Sequence, residues 1–337
     1  MKITVLGSGA YGIALALMFN ENNCDITLWE KIESQANEIN KTRINKKALP
    51  NVKIPNNIKI TNNLEKSIKD SNLIVFAIPA TYVNETAKEL AKYIKKEQHI
   101  CIATKGIEQN TCLFINEVIE KHIKTKNIAV ISGPSFAEDV ASFTPIGLAL
   151  ATKNKKTATL IHKSLETKNL KLRDTNDLIG TEICGSIKNV IAIAAGIING
   201  LGLPESTQAM LITESLHDIK ELIKALNGNG KTILSFAGFG DLLLTCTSTK
   251  SRNFCFGKLI GEGKSKDEIN EYINNTTIEG LYTLKSIHKL LKNKKVDIPI
   301  YTIEIFFINS ASLIFTSLNF LLSDIIIPAI ISIVNHT

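Results

Sequence analysis

The chain has 337 residues, which is enough to bury a sizeable core and favours two domains over one. Hydrophobic residues make up 44% and charged residues 21%, a composition that excludes a disordered chain. The net charge of +7 is spread along the sequence without a block at either end, so it suits a protein that handles anionic small molecules. It is too weak and too diffuse to indicate a nucleic-acid partner.

The cysteines and the N-terminus predict a cytoplasmic protein. None of the six cysteines belongs to a CxxC pair or a metal-ligand spacing, so we expect reduced, mostly buried thiols and no metal site. The chain opens directly on an apolar strand rather than on the basic stretch, apolar core and cleavage site of a signal peptide.

The first 175 residues alternate short apolar runs with amphipathic stretches. The apolar runs are rich in Val, Ile and Ala and predict buried strands over residues 3–6, 26–29, 73–78, 100–104, 129–132 and 147–151. Helices are predicted between them, over residues 11–22, 82–95, 112–124 and 155–166. This alternation predicts an α/β fold with a Rossmann-like, doubly wound and mostly parallel sheet.

The character of the sequence changes near residues 174–177. Residues 178–199 are rich in small and apolar side chains and lack proline, which predicts a long buried helix that opens a second, all-helical domain. Further helices are predicted near residues 207–226, 266–272 and 279–291. We therefore expect one domain over residues 1–176, a helical domain over 177–299 and an atypical apolar tail over 300–337.

The first predicted strand runs into a glycine-rich turn and then a helix. In this GxGxxG pattern Gly7 permits the tight turn, Gly9 lets the backbone approach a pyrophosphate, and Gly12 lets the helix pack closely on the sheet. Ser8 and Tyr11 stand between these glycines and are further candidate cofactor contacts. The pattern predicts a dinucleotide-binding first domain.

Two residues at the end of the second strand bear on which dinucleotide binds. The Glu30 carboxylate can accept a hydrogen bond from the adenosine ribose, which favours NAD. Lys31 follows it and can face a 2′-phosphate, which favours NADP. The sequence therefore leaves NAD and NADP both open.

Two later strands end at residues suited to a phosphorylated ligand. Lys105 follows the strand over residues 100–104, at the edge where doubly wound sheets bind ligands, and can reach a substrate or cofactor phosphate. A Gly-Pro turn containing Gly133 and Ser135 follows the strand over residues 129–132 and can approach the nicotinamide end. Taken alone, a solvated lysine and a plain helix cap are equally compatible with these features.

The predicted helical domain carries a lysine within its long apolar helix. Lys188 lies among Ile, Ala and Gly residues, where a lysine is unfavourable unless it is paired or functional. Because burial lowers the pKa of a lysine, such a residue can donate and accept protons. A narrow polar stripe along the helix is the alternative interpretation.

A polar cluster follows within residues 236–253. Asp241 comes after a Gly-x-Gly turn and is a candidate partner for Lys188. Ser251, Arg252 and Asn253 together supply the forked cation and the neutral donors that a phosphate needs. A surface loop is the alternative for any one of these residues.

A resemblance to a known family is carried by six segments in this order and spacing: GSGAYGIALA, ATKGIE, SGPSFAEDVA, GTEICGSIKNVIAIAAGI, FAGFGDLLLTCTSTKSRN and TIEG. The chain resembles the bacterial NAD(P)-dependent glycerol-3-phosphate dehydrogenases from residue 1 to about residue 299. The resemblance implies reversible hydride transfer between NAD(P)H and dihydroxyacetone phosphate. The product would be sn-glycerol 3-phosphate for glycerophospholipid synthesis.

The resemblance also implies roles for individual residues. Lys188 matches the acid that protonates the C2 carbonyl oxygen and acts as the base in reverse. The implied substrate contacts are Lys105, Gly133, Ser135, Asp241, Ser251, Arg252 and Asn253. The implied cofactor contacts are Ser8, Ala137, Arg252 and Glu279, beside Gly7, Gly9, Tyr11, Gly12, Glu30, Lys31 and Lys105 from the motifs above.

Two segments depart from the family pattern. Glu214 stands where the family usually has an arginine. We expect this reversal of charge to alter a salt bridge or the dimer surface. Residues 300–337 contain no Lys or Arg. Residues 305–323 are long enough for a membrane segment. Their polar side chains and the missing basic anchors instead favour a shifted reading frame that replaces the native C-terminus.

Two other functions remain compatible with the sequence. One is a related hydroxyacid dehydrogenase, against which Lys105 and the Ser-Arg-Asn triplet argue because they suit a phosphate. The other is a non-catalytic or poorly folded product of a decaying gene, which the tail motivates. The expected partner is a small phosphorylated substrate, with no nucleic acid and no integral membrane span, and a homodimer is left open.

Overall fold

A single sheet of eight strands organises the first 175 residues. The structure is a computed structural model that describes residues 1–291, so the predicted tail over residues 300–337 lies outside the described residues. The strands are β1 (Lys2–Leu6), β2 (Asp25–Trp29), β3 (Lys59–Thr61), β4 (Leu73–Phe76), β5 (His99–Ile102), β6 (Ile128–Ser132), β7 (Ile146–Ala151) and β8 (Leu170–Thr175). The helices between them are α1 (Ala10–Glu21), α2 (Glu33–Thr42), α3 (Leu64–Ile68), α4 (Ala80–Leu90), α5 (Ile115–His122), α6 (Ala137–Ala141) and α7 (Lys155–Leu165).

The sheet has the strand order β3-β2-β1-β4-β5-β6-β7-β8. Neighbouring strands are parallel throughout, except that β6 and β7 are antiparallel. The predicted doubly wound, mostly parallel sheet is therefore confirmed. The strand order reverses between β1 and β4, and at such a point doubly wound sheets bind their ligands.

The central strands are buried on both faces, as their unbroken apolar runs predict. Along β4, Leu73 and Val75 belong to the core on one face, and Ile74 and Phe76 to the core on the other. All four side chains are fully buried. A parallel strand covered by helices on both faces requires this uniform hydrophobicity.

The strands β3 and β8 and the helices α2 and α3 were not among the predicted elements. β3 has only three residues, too few for a periodic signal. β8 alternates buried and exposed residues, since it is an edge strand, and so lacks the continuous apolar run of its neighbours. Both strands lie at the two edges of the sheet.

The second part of the described chain is helical. Its helices are α8 (Leu178–Gly200), α9 (Glu205–Ala225), α10 (Asp241–Thr247), α11 (Arg252–Gly261), α12 (Lys266–Asn275) and α13 (Glu279–Leu291). A 3₁₀ turn at Gly230–Leu234 and a π-helical turn at Phe236–Gly240 precede α10. The predicted second, helical domain is confirmed. Among the described helices, only α8 is long and apolar enough to cross a membrane, and 78% of its most apolar window is buried inside the protein.

The described chain divides into two compact units. The sheet unit comprises Met1–Gly185 together with Leu234–Asp241, and the helical unit comprises Ser186–Ile233 together with the described residues from 242 to 291. The sheet unit therefore includes an eight-residue segment from the middle of the helical part, which we call the 234–241 excursion. The predicted domain limits at residues 176 and 299 stay predictions.

Within the helical unit, α8 and α11 approach each other through glycines. A Cβ on Gly257 would overlap the Ile193 carbonyl group, because it would lie 2.8 Å from the Ile193 carbonyl carbon. A Cβ on Gly196 would lie 2.8 Å from the Lys258 amide nitrogen. Gly200 of α8 and Gly261 of α11, each four residues further on, make equally close approaches. The two backbones are therefore in direct contact, and this contact fixes the start of α11 against α8.

In the sheet unit, His162 on α7 lies between two carboxylates. Its Nδ1 is 2.9 Å from Glu166 Oε2, and its Nε2 is 2.7 Å from Asp174 Oδ1 at the end of β8. Partial burial opposes the charged ring, but the hydrogen bonds to both carboxylates outweigh it, so the pKa of His162 is raised above its usual value. The pair with Asp174 ties α7 to β8, the pair with Glu166 is local to the end of α7, and both are ion pairs only while the ring is protonated.

This arrangement predicts a pH-dependent stability. The contribution of His162 should be complete below pH about 6.5, the ordinary histidine pKa, and should disappear as the pH rises through the raised value. Urea unfolding from pH 5.5 to 9 should show wild type more stable than His162→Gln at low pH, with the difference shrinking toward alkaline pH. His122→Gln is the matched control, because His122 Nε2 contacts the neutral Asn84 amide. A pH-independent difference would contradict the prediction.

Candidate active site

The glycine-rich turn joins β1 to α1. Gly7 has a φ of +109°, and a Cβ there would lie 2.6 Å from the Ala77 carbonyl oxygen, so only glycine fits. A Cβ on Gly12 would lie 3.1 Å from the Gly7 carbonyl carbon, because α1 packs directly on the turn. A Cβ on Gly9 would have nothing within 4 Å. Gly9 therefore presents bare backbone to open space.

The start of α1 fits the pyrophosphate of a dinucleotide. Gly9 is the N-cap residue, and no side chain in the described part of the protein caps the helix there. The first amides of a helix have no intrahelical partner, and together with the helix dipole they favour an anion. The turn follows β1 at the point where the strand order reverses. The residues present therefore fit the predicted NAD or NADP.

The structure gives Glu30 and Lys31 different partners. Glu30 is buried, and its carboxylate accepts a hydrogen bond from the Ser8 hydroxyl and another, at 2.9 Å, from the Ile32 amide. Lys31 is half-exposed and forms an ion pair with Glu85 at 2.8 Å. A fixed carboxylate thus lies beside the glycine turn, whereas the neighbouring ammonium group is held by another acid.

Lys105 and Asp241 form an ion pair within the sheet unit. The Lys105 Nζ is 2.7 Å from Asp241 Oδ2, and it also donates to the Gly133 carbonyl oxygen at 3.3 Å. Asp241 is buried and Lys105 largely so. Three of the predicted substrate residues are therefore close together, although Asp241 is 136 residues from Lys105 in sequence. The predicted pairing of Asp241 with Lys188 stays a prediction.

The Gly-Pro turn after β6 brings Ser135 beside the glycine turn. The Ser135 hydroxyl donates to the Gly133 carbonyl oxygen at 3.0 Å, and the Tyr11 hydroxyl lies 3.0 Å from Ser135 Oγ. Ala137 begins α6, which packs against α1. The predicted cofactor and substrate residues of the sheet unit thus lie on adjoining turns.

A glycine and an aromatic ring hold the 234–241 excursion on the sheet. A Cβ on Gly147 in β7 would overlap the Phe236 ring, so the ring rests directly on the strand backbone. A Cβ on Gly133 would in turn lie 2.7 Å from the Gly147 carbonyl oxygen. Phe236 opens the turn that ends next to Asp241, so this packing places Asp241 in the sheet unit.

In the helical unit, Lys188 is buried in the middle of α8. The side chain is only 8% exposed, and its ammonium group donates to Thr245 Oγ1 of α10 at 3.1 Å. Thr245 is itself buried. A polar partner therefore accompanies the lysine, as its cost of burial requires.

Asn189 and Glu279 connect Lys188 to the phosphate-binding candidates. The Asn189 amide donates to Glu279 Oε2 at 3.0 Å, and Glu279 Oε1 lies 3.9 Å from Arg252 Nη2. Arg252 is 56% exposed, so its guanidinium can still reach a ligand. The predicted cofactor residues Arg252 and Glu279 are therefore neighbours.

Ser251 and Asn253 frame the start of α11. Ser251 is the N-cap residue and accepts a hydrogen bond from the Phe254 amide at 3.2 Å. Asn253 is buried and accepts from the Gly280 amide at 2.9 Å. Their hydroxyl and amide donors stand at a helix N-terminus, which favours a phosphate.

These features define a class of protein. A doubly wound sheet with a glycine-rich turn, followed by a helical unit with a buried lysine and a helix start bearing serine, arginine and asparagine, is typical of the NAD(P)-dependent dehydrogenases. Two family models match the chain: the NAD-dependent glycerol-3-phosphate dehydrogenase N-terminus over residues 2–158 and the C-terminus over residues 177–308. The chain belongs to this family.

Individual relatives agree with the assignment. The chain is 37% identical over 302 residues to glycerol-3-phosphate dehydrogenase [NAD(P)+] of Fusobacterium nucleatum, covering 89% of this chain and 90% of that one. It is 37% identical to the Staphylococcus aureus protein of the same name, covering 89% and 91%. The crystal structure of glycerol-3-phosphate dehydrogenase from Coxiella burnetii superposes with a TM-score of 0.86 at 31% identity, covering 92% and 95%. The predicted family, enzyme class and NAD or NADP cofactor are confirmed.

Two polar residues of the helical unit were absent from the predicted site. Asn189 directly follows Lys188 on α8, and Thr245 lies one helical turn after Asp241 on α10. The position of Thr245 at i+4 from a predicted site residue was a usable signal. Asn189 carried no pattern of its own, and only the fold brings it to Glu279.

Proposed function

We propose that this chain reduces dihydroxyacetone phosphate to sn-glycerol 3-phosphate with NAD(P)H, and catalyses the reverse oxidation, with Lys188 as the acid and base. One observation carries the assignment of roles. In this member of the glycerol-3-phosphate dehydrogenase family, a lysine buried in an apolar helix donates to a threonine hydroxyl, in the same unit as the helix start that carries Ser251, Arg252 and Asn253.

The sheet unit binds and orients the cofactor, whose bound nicotinamide supplies the hydride to C2 of the substrate. Gly7, Gly9 and Gly12 give the pyrophosphate access to the amides of α1. Glu30 accepts from the adenosine ribose, and Ser8 and Tyr11 line the same turn. The neighbouring Ala137 and Lys105 contact the cofactor toward its nicotinamide end.

Lys188 moves the proton. As the hydride adds to C2, the carbonyl oxygen gains negative charge, and Lys188 Nζ delivers a proton to it. In the reverse direction the same nitrogen takes the proton from the C2 hydroxyl. Thr245 accepts from the ammonium group and so orients it toward the substrate oxygen.

Two sets of donors are assigned to the phosphate and to the rest of the substrate. Ser251, Arg252 and Asn253 bind the phosphate oxygens, and Glu279 orients the Arg252 guanidinium. Lys105 donates to the substrate while Asp241 fixes its position. Gly133 and Ser135, on the turn after β6, complete the proposed substrate contacts.

The test is a substrate panel with the purified chain. NADH or NADPH should be oxidised with dihydroxyacetone phosphate and far more slowly with dihydroxyacetone, because the phosphate-binding donors would then be unused. Unphosphorylated 2-oxo acids serve as the second control. Equal turnover of dihydroxyacetone, or turnover of an oxo acid alone, would contradict the proposal. We assign the activity to the cytoplasm, where it supplies glycerophospholipid synthesis.

We propose further that NADH is the preferred cofactor. Glu30 places a carboxylate beside the glycine turn, and a 2′-phosphate there would meet like charge. Glu30→Gln keeps the side-chain shape and should raise the NADPH-to-NADH ratio of kcat/KM about tenfold, or about 1.4 kcal/mol. Steady-state kinetics with both cofactors measure the ratio. Glu38→Gln on α2 is the control, and an unchanged ratio in Glu30→Gln would count against the assignment.

A further inference from the structure

A continuous chain of hydrogen bonds runs from the glycine turn to Lys105. The Ser135 hydroxyl has one hydrogen, which it donates to the Gly133 carbonyl oxygen at 3.0 Å. Tyr11 must then be the donor in its 3.0 Å contact with Ser135 Oγ. The Gly133 carbonyl oxygen accepts a second hydrogen bond, from Lys105 Nζ at 3.3 Å. Asp241 Oδ2 lies 2.7 Å from the same nitrogen.

Tyr11 can carry a displacement from one end of this chain to the other. Tyr11 is the second residue of α1, so its backbone amide is one of the first helix amides, to which the proposed function assigns the cofactor pyrophosphate. Its hydroxyl lies in the substrate-side turn beside Ser135. Burial raises the pKa of Tyr11, with Lys105 opposing the change, so the phenol stays protonated and remains a donor. A shift of the glycine turn would therefore move the hydrogen-bond donor that contacts Ser135.

We propose that Tyr11 is a positioning residue that couples cofactor binding to the placement of Lys105, acting through Ser135 and the Gly133 carbonyl oxygen. The proposal rests on the proposed function, since it assigns Lys105 to the substrate. Coupling between two ligands is reciprocal, so the cofactor should tighten substrate binding by the factor by which substrate tightens cofactor binding. The Tyr11 ring only fills space in the core, and the Tyr11 hydroxyl transmits the coupling.

The experiment compares wild type with Tyr11→Phe, which removes only the hydroxyl. Calorimetry with sn-glycerol 3-phosphate is run without cofactor and with saturating NADH, a combination that cannot turn over. The ratio of the two dissociation constants is the coupling factor. Tyr11→Phe should lower this factor about 3- to 10-fold and raise the KM for dihydroxyacetone phosphate similarly, because one buried hydrogen bond is lost. The Kd for NADH alone should stay within about twofold of wild type, since the backbone of the turn is untouched.

Two further variants complete the test. Ser135→Ala removes the hydroxyl that accepts from Tyr11 and donates to Gly133. Combining it with Tyr11→Phe should therefore reduce the coupling factor no further than the more affected of the two single variants. Tyr93→Phe is the matched control, because Tyr93 is a partly exposed tyrosine of the sheet unit outside this chain of contacts. An unchanged coupling factor in Tyr11→Phe would overturn the proposal, as would additive losses in the double variant. Weaker binding of NADH alone, equal to the rise in KM, would also overturn it. Failure of wild type to reduce dihydroxyacetone phosphate would instead overturn the proposed function.

Discussion

Replacing Lys188 with methionine should lower kcat for dihydroxyacetone phosphate reduction by about 10²- to 10⁴-fold, the usual contribution of a general acid. Methionine matches the unbranched, flexible shape of the lysine stem and removes the proton donor. The Thr245 hydroxyl loses its partner but can still donate elsewhere, so the fold should survive. The Kd for NADH should stay near that of wild type, because the glycine turn belongs to the other unit.

The comparison needs a surface lysine of the same helical unit. Lys224 is half-exposed and pairs with Glu221 at 2.7 Å, so Lys224→Met removes a lysine without touching the proposed site. That variant should keep wild-type kcat and KM. Unchanged thermal unfolding of Lys188→Met would show that the lost rate is chemical. A Lys188→Met enzyme within tenfold of wild type would mean that another group protonates the substrate.

Replacing Gly257 with alanine should remove about 3 kcal/mol of unfolding free energy, the upper part of the range for overpacked sites. The added methyl group would overlap the Ile193 carbonyl group, and backbone cannot rotate away as a side chain can. The helices α8 and α11 must therefore separate. Because Arg252 and Asn253 stand at the start of α11, the folded fraction should also show a raised KM for dihydroxyacetone phosphate.

Gly230→Ala is the control for this experiment. A Cβ there would meet only the flexible side chains of Lys220 and Lys224, at 3.2 Å, so a small adjustment accommodates it. Chemical denaturation of both variants measures the two free energies on one scale. Equal stability of Gly257→Ala and Gly230→Ala would refute the close contact between the helices.

The elements found from sequence were those with a local signal. A short stretch of sequence was enough to predict the GxGxxG turn from its glycine spacing. Unbroken apolar runs were enough to predict the buried strands and α8. Lys188 was noticeable because a charge stands out in such a run. The missed strand β3 has only three residues, and in the edge strand β8 exposed residues interrupt the apolar run.

Contacts between residues that are distant in sequence could not be predicted from local sequence patterns. Asp241 lies near Lys105 because Phe236 rests on Gly147, a packing that no local pattern encodes. The glycines of α8 and α11 are spaced alike, but each spacing alone is common in helices and points to no partner. Glu30 was predicted from its position after β2, whereas its hydrogen bond to Ser8 depends on side-chain packing.

The 234–241 excursion has a consequence for how the protein is made. The sheet unit needs residues that are synthesised only after α9, so it cannot be completed when Gly185 leaves the ribosome. Until then Gly147 lacks the Phe236 ring, and Lys105 lacks Asp241. A fragment ending at Gly185 should therefore be an unfinished folding unit. The glycine turn over residues 7–12 is translated first. Asp241, the partner of Lys105, is translated more than two hundred residues after that turn.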